Sequence, residues 1–501
     1  MNRNRKKKSM TVCMVLLMLF AATRIAACGT EKEYLETREE RLEIRESGNL
    51  YLYLGEVTES LSPLCGNSIA GENLWSLCFS NLYRDSKEVF SEKMLSQFQK
   101  SDSAFHYLKE ENQEENKTYL TVSINPALRT SFGTALTAED IMFNYYLRTD
   151  PSICIAGLEQ GAVTSFAGLI DGGETYYYGT GQVQERKNEI MTVLKNPDKT
   201  LIGVIRDRIV LPELYREYEW IEGLFEEDSD KNLTGGYQSA AEMFVHFYAY
   251  RTQYSGKGKT KEIIISEIAG QYGGNYHALE RVTGRSYENL AEKLALYEVL
   301  KKQGKDVVKE IGGIKKLSEK TVQITFLGIR IAEEKMLNIW ILPFQTYKND
   351  TEHGDVMFQK GDAAEAYEKT KKILVGSGSY YCTDFGTNRL CLRSSRHYFE
   401  GEGKIEKLYV LRNQRFTVQE LFKKLLDREL DFAVTQTDAH LEEMLQNRET
   451  GAIYKLNLYP VGEGNWGIMY RTDYLNRTTF PKNVENLSEM FRKIYQIKVN
   501  R

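Results

Sequence analysis

Apolar positions open the chain as one run and then return in short patterned stretches separated by polar segments. Met10–Ala22 form the run, behind the basic residues Arg3, Arg5, Lys6, Lys7 and Lys8, and Arg24 closes it. It is shorter than the ~20 apolar residues that a membrane-spanning helix needs. Residues 30–49 alternate Glu, Lys and Arg with few large apolar groups and read as a solvated tether. From Leu50 the pattern changes. Leu50-Tyr51-Leu52-Tyr53-Leu54 predicts a strand closed by Gly55, and Leu74, Leu77, Cys78 and Leu82 recur at helical spacing across Asn73–Tyr83. Lys117–Ile124 predicts a second strand, with Tyr119 and Thr121 on one face and Leu120, Val122 and Ile124 on the other.

A helix with a clear start follows. Thr137 stands three residues before Asp140, so its hydroxyl is placed to accept from the Asp140 N–H while the acid complements the orphan donors and dipole of the first turn. Ile141, Met142, Tyr145 and Tyr146 form the buried face, and Asp150-Pro151 stops the helix. Between Cys154 and Gly313 the chain becomes rich in Gly, Tyr and charged loops, with amphipathic helices; Tyr287–Lys302 carries Leu290, Leu294 and Tyr297 on one face. Thr321–Phe326 alternates as a half-buried strand. Tyr380–Asp384 and Arg389–Arg393 read as two strands around Phe385-Gly386-Thr387-Asn388. Thr417-Val418-Gln419-Glu420 is a second capping box, with Leu421 and Leu425 on the buried face. No internal repeat is visible.

The basic start, the short apolar run and the small residues Ile25-Ala26-Ala27 before Cys28 together make an export signal. The sequence Ile25-Ala26-Ala27-Cys28 resembles the lipobox of bacterial lipoproteins, in which the cysteine thiol receives a diacylglycerol and becomes the first mature residue. Cys28 is then the lipid attachment site. Two other readings stay open at this point, an ordinary secretory signal in which Cys28 is incidental and an uncleaved signal anchor, which the short run disfavours.

Cleavage changes the charge. The chain holds 66 Lys and Arg against 70 Asp and Glu, and six of the basic residues leave with residues 1–27, so the mature protein carries 60 against 70. So acidic a surface excludes nucleic acid and anionic lipid as electrostatic partners. The remaining length, 474 of 501 residues, accommodates two or three domains of ~100–200 residues. High aromatic content and only eight prolines point to a packed body. Apart from Cys13 and Cys28 the cysteines are Cys65, Cys78, Cys154, Cys382 and Cys391, too sparse for a disulfide scaffold. The expected hairpin register sets Cys382 opposite Cys391, within possible disulfide reach; two free thiols are the equal alternative.

Motifs for covalent chemistry are absent from the sequence. There is no His-Glu-x-x-His and no Gly-x-Ser-x-Gly. Gly256-Lys257-Gly258-Lys259-Thr260 lacks the first glycine of a phosphate loop, Gln253 standing in its place, and reads as a solvated turn. The histidines 106, 246, 277, 353, 397 and 440 show no metal-ligand spacing. No enzyme activity, metal or cofactor is expected. Gly376 and Gly378 read as positions supplying positive-φ freedom before a strand.

Four segments in order carry a resemblance. Leu61-Ser62-Pro63, Gly133-Thr134-Ala135-Leu136-Thr137-Ala138-Glu139-Asp140-Ile141, Val375-Gly376-Ser377-Gly378-Ser379-Tyr380 with the following Arg393–Tyr398, and Leu430-Asp431-Phe432-Ala433 are similar to motifs of the family 5 extracellular solute-binding proteins. That family comprises the peptide, oligopeptide and nickel receptors of ABC importers. The resemblance implies an α/β, two-lobed periplasmic-binding-protein-like fold (type II, cluster C) with mixed sheets. It departs from the family at Ser62 and Ser379 and through a long insertion at about 155–312, and the second lobe is expected to be largely missing.

The implied organisation is a signal peptide over 1–27, a lipid-anchored tether over 28–49 and the first lobe's main subdomain over 50–80 and 313–455. A smaller subdomain with the insertion spans 81–312, and 456–501 is expected to enter the second lobe. The resemblance also implies a cleft. Asn67, Ser68, Ile69 and Ala70 would offer backbone groups to an extended peptide, and Trp466 would cover it at the lobe boundary, core packing being the alternative for Trp466. The implied partners are a peptide or other small solute, an ABC permease and, through the anchor, the membrane, for a monomer on the extracytoplasmic face. A surface lipoprotein that acts as a protein-interaction module without binding solute is the other reading.

Overall fold

The computed structural model describes residues 49–57, 61–64, 68–98, 103–155, 166–179, 181–194, 199–227, 237–249, 254–272, 291–292, 294–296, 298, 308–349, 358, 360–386, 388–436, 456–461, 466–482 and 484–498. The signal, Cys28, most of the tether, Cys65 and Asn67 lie outside them, as does most of the expected helix at 287–302.

The chain starts with strand β1 (Asn49–Tyr53) and helix α1 (Ile69–Cys78). It then builds β2 (Ser86–Glu88), β3 (Phe105–Asn112), β4 (Lys117–Ile124) and α2 (Ala138–Thr149). The inserted region contributes α3 (Gly173–Tyr178), α4 (Gln182–Leu194), α5 (Leu211–Glu227), α6 (Ala240–Tyr248) and α7 (Lys261–Tyr272). After β5 (Ile314–Lys316), β6 (Thr321–Leu327) and α8 (Asp362–Thr370) come β7 (Tyr380–Phe385), β8 (Arg389–Ser394) and β9 (Lys407–Leu411). The described chain ends with α9 (Val418–Leu426), β10 (Phe432–Gln436), β11 (Leu456–Pro460), β12 (Trp466–Arg471) and α10 (Leu487–Arg492). Two mixed sheets result, one ordered β11-β12-β10-β1-β9-β8-β7 and the other β2-β3-β4-β6-β5. The α/β class with mixed sheets is as the sequence implies.

In the larger sheet β1 is parallel to both β9 and β10, a central strand covered on both faces. Leu50 and Leu52 enter the main core with Leu74 and Leu77 of α1 and Met490 and Phe491 of α10. Tyr53 faces the other way and packs with Leu421 and Leu425 of α9, Ala433 and Met469. The layers are therefore α9, sheet, then α1 with α10. Burying Leu421 and Leu425 contributes roughly 1.5–3 kcal/mol each, on a helix whose capping box forms as read: Glu420 N–H donates to Thr417 Oγ1 at 3.3 Å, and Thr417 N–H to Glu420 Oε2 at 2.7 Å. The main core continues into the smaller sheet through Leu120, Val122 and Ile324, and into the insertion through Leu214, Phe244 and Ile268.

Four local readings change. Helix α1 begins earlier than its apolar spacing indicates, because Ser68 caps it, Oγ accepting from Gly71 N–H at 3.0 Å. It ends at Cys78 because the chain then turns, the Asp85 carboxylate accepting from Asn81 N–H at 2.7 Å. The β7–β8 hairpin does not set Cys382 opposite Cys391. A bulge between Cys382 and Asp384 pairs Cys382 with Leu392 and Asp384 with Cys391, and both thiols are free. Third, Gly376 and Gly378 are not among the positive-φ glycines. They are small because this segment crosses the end of α1 in near contact: a Cβ on Gly376 would lie 2.4 Å from Cys78 O, and one on Gly378 2.3 Å from Leu77 O. Finally, 456–501, expected to enter a second lobe, adds β11 and β12 to the first sheet and α10 to its helical layer, where Arg492 pairs with buried Asp85 at 2.8 Å.

The acidic turn before β10 has a structural cause. Asp431, fully buried, accepts from Tyr51 N–H of β1 at 3.0 Å and from Arg471 Nη1 of β12 at 2.9 Å, while Arg471 also holds Asp473. One carboxylate thus locks three neighbouring strands. Among the described residues no helix is long and apolar enough to cross a membrane.

Candidate functional site

Strands β9, β1 and β10 run parallel, so Leu411, Tyr53 and Gln436 end at one edge of the sheet. Strand β12 runs antiparallel to β10 and starts there, Trp466 standing opposite Gln436. In open α/β sheets the carboxyl edge is where loops diverge and leave a crevice, so it is the place to look for ligand contacts.

The loop leaving β1 is held at many points along this edge. Asn73 Nδ2 donates to Leu54 O at 3.1 Å, Trp75 Nε1 to Leu61 O at 2.8 Å and Arg148 Nη2 to Pro63 O at 3.2 Å. Asn413 N–H, after β9, donates to Val57 O at 2.8 Å. Ser62 Oγ accepts from Leu64 N–H at 3.3 Å, so the serine supplies the turn-closing acceptor that an aspartate would supply. Gly55, at φ +106°, lets the loop pass α1: a Cβ there would lie 3.1 Å from Ala70 Cβ. These bonds hold the loop rigidly beside the start of α1.

The residues singled out in the sequence separate here. Ser68 is exposed and Ile69 is 46 % exposed at the start of α1, whereas Ala70 is buried against Gly55 and is a packing residue. Trp466 is half-buried, its ring against the main core and its carbonyl accepting from Val461 N–H at 3.1 Å. The sheet therefore brings Ser68, Ile69 and Trp466 to one edge. It adds Gln436, invisible from the sequence because only the β10–β12 register puts it beside Trp466. On the opposite face, burial pushes the Tyr53 hydroxyl above its ordinary range, and Phe416 meets its ring edge-on at 5.2 Å. Glu56, Arg415 and Glu420 surround that hydroxyl within electrostatic reach.

Other motifs resolve as structure. Gly256–Thr260 is a turn closed by Lys259 N–H to Gly256 O at 3.1 Å, ahead of α7. His106 stacks on Phe98 at 4.1 Å, and His397 lies under Gly133. Among the described residues no group of three or more His, Cys, Asp and Glu is placed to hold a metal.

No protein-family model matches the chain, and no curated protein does. Solved structures match it at low identity. A lactococcal OppA complexed with an endogenous peptide in the closed conformation is 10 % identical, covers 82 % of this chain and 49 % of its own, and gives a TM-score of 0.40. A Borrelia burgdorferi periplasmic oligopeptide-binding protein is 12 % identical over 82 % of this chain and 51 % of its own, with a TM-score of 0.39. Listeria monocytogenes OppA bound to peptide is 9 % identical over 88 % and 54 %, with a TM-score of 0.37. The chain spans about half the length of the solved structures it matches.

Proposed function

We propose that this chain is the solute-binding component of an ABC-type importer, taking an extended peptide at the carboxyl edge of β1, β9 and β10 and handing it to a permease without covalent chemistry. The observation that carries the reading is the edge itself. A rigidly held loop, an exposed helix start at Ser68 and Ile69, and half-buried Trp466 lie along it. The ordered motifs in the sequence support it. Cys28 carries the lipid anchor in this reading and holds the protein on the outer face of the cytoplasmic membrane.

Binding to the folded state must raise thermal stability, by RT ln(1 + [L]/Kd). The purified chain lacking residues 1–28, titrated with pools of di- to pentapeptides, is expected to show such a shift together with a change in tryptophan emission. A folded protein that shifts with no pool refutes peptide capture by this chain. Radiolabelled palmitate incorporated by the wild type and not by Cys28→Ala tests the anchor.

A second reading rests on the insertion, where Trp220 of α5 and Phe247 of α6 are 59 % and 50 % exposed. In this reading the two rings are contact points for another protein. That reading predicts a folded chain without peptide affinity whose cross-links to a partner map to α5 and α6.

A further inference from the structure

A second cluster of reactive groups lies away from the sheet edge, where the end of α2, the short helix α3 and the start of α8 converge. Asp150, buried just after α2, accepts from Gly361 N–H at 2.8 Å, Ala363 N–H at 3.0 Å and Ser152 N–H at 2.8 Å, and so fastens α8 to α2. Lys360 immediately precedes this junction. Its Nζ lies 4.9 Å from the centre of the Tyr176 ring, and no hydrogen-bond acceptor meets it among the described residues. Tyr176 is 1 % exposed and its hydroxyl has no hydrogen-bond partner. Tyr146 packs edge-on against Tyr176 at 5.2 Å and, tilted, against Phe358 at 4.6 Å, so the ring beneath the amine belongs to an aromatic cluster. The Tyr146 hydroxyl is already engaged by Ile311 N–H at 2.9 Å, which leaves Tyr176 as the unengaged hydroxyl of the group.

An ammonium in such surroundings has lost much of its water without gaining an acceptor, which favours the neutral amine. Burial moves Lys360 down to about 8, with Asp150 opposing the change. At pH 7 about a tenth of this amine is free base, whereas an ordinary lysine is almost wholly protonated.

We propose that Lys360 and Tyr176 form a carbonyl-capturing site in which the lysine amine bonds to the carbonyl carbon of a small aldehyde as an imine. The nitrogen lone pair forms the C–N bond, and the carbonyl oxygen takes a proton from the Tyr176 hydroxyl to give a carbinolamine. Nitrogen returns one proton to the tyrosinate. The carbinolamine hydroxyl then takes a second proton from Tyr176 and leaves as water, its C–O bond breaking as the nitrogen lone pair forms the C=N bond, and the second N–H proton restores the tyrosine. Amine and aldehyde give imine and water, with no oxidant or reductant required. The site shares no residue with the sheet edge, so it stands or falls apart from peptide binding.

Formaldehyde is a suitable probe, with cyanoborohydride to reduce the imine to a stable methylamine. The purified protein is labelled with limiting reagent from pH 6 to 10, digested, and each lysine quantified by mass spectrometry. At pH 7.5 Lys360 is expected to label roughly tenfold faster than the median lysine, because its free-base fraction outweighs its lower basicity. Its rate should level off above about pH 8, where its amine is already neutral, while the others keep rising. Tyr176→Phe, checked for folding by near-ultraviolet circular dichroism, should slow labelling severalfold and leave the position of that plateau unchanged. Lys360 labelling at or below the median rate overturns the proposal, and so does an unaltered rate in Tyr176→Phe.

Discussion

Gly378→Ala tests whether the glycine-rich segment before β7 exists for close packing. A methyl at this position would lie 2.3 Å from Leu77 O, 2.5 Å from Cys78 C and 2.8 Å from Leu77 C, all backbone atoms at the end of α1. None can rotate away, and the wall behind them is the core of Leu74, Leu77 and Phe79. Relief requires the segment and α1 to separate by about 1 Å, since ordinary contact begins near 3.4 Å. Overpacking of this kind costs ~1–3 kcal/mol. The separation also stretches the hydrogen bond from Gly378 N–H to Cys78 O, now 3.0 Å, for ~1 kcal/mol more. The expected loss is therefore ~2–4 kcal/mol, read as a lowered urea midpoint with circular dichroism and tryptophan emission followed together. Gly401→Ala is the control: it sits at φ +117° with nothing within 4 Å of an added Cβ, so only backbone strain of ~1 kcal/mol applies. If Gly378→Ala costs no more than Gly401→Ala, the close-packing account of the motif is wrong.

Asp431→Asn removes the charge that Arg471 meets in the sheet, with both side chains almost fully buried; a loss of ~3–5 kcal/mol is expected by denaturant unfolding, much of it recovered in the double variant with Arg471→Met. Thr417→Ala deletes one half of the α9 capping box and should lower stability by ~1 kcal/mol, with Thr417→Ser close to wild type. Lys360 titrates lower folded than unfolded, so its charged form penalises the fold below about pH 8 and the penalty fades as pH rises toward the ordinary lysine value of 10.5. Lys360→Met is therefore expected to gain ~1–3 kcal/mol at pH 7, after discounting for partial exposure, with the gap to wild type closing between pH 8 and 10.5. Equal pH profiles for the two proteins refute that shift. Trp466→Ala should weaken any peptide shift about tenfold, a typical loss for removing an aromatic anchor, without changing the fold.

Where local chemistry decides the outcome, the sequence was enough. Lys117–Ile124 forms the strand its alternation predicts, although both of its faces are buried from Leu120 onward, and Thr137 and Thr417 start helices because cap and acid lie three residues apart within one turn. Leu50–Leu54 reads as a strand from its unbroken apolar and aromatic run, and β1 forms there. These features depend on neighbours within a few positions, which the sequence displays directly.

What joins distant residues belongs to the tertiary structure alone. The bulge that separates Cys382 from Cys391 arises from how β7 meets its neighbours, including the bridge from Cys382 to Leu374, and alternation within the hairpin carries no sign of it. The role of Gly378 changes from backbone freedom to missing volume only once α1 is known to cross it. Gln436 joins Trp466 through antiparallel pairing. Lys360, Asp150 and Tyr176 are ordinary residues in sequence, brought together at the junction of α2, α3 and α8. Periodicity fixes which side of an element is buried; which element it is buried against depends on packing among residues hundreds of positions apart, and there the chemistry of this protein is decided.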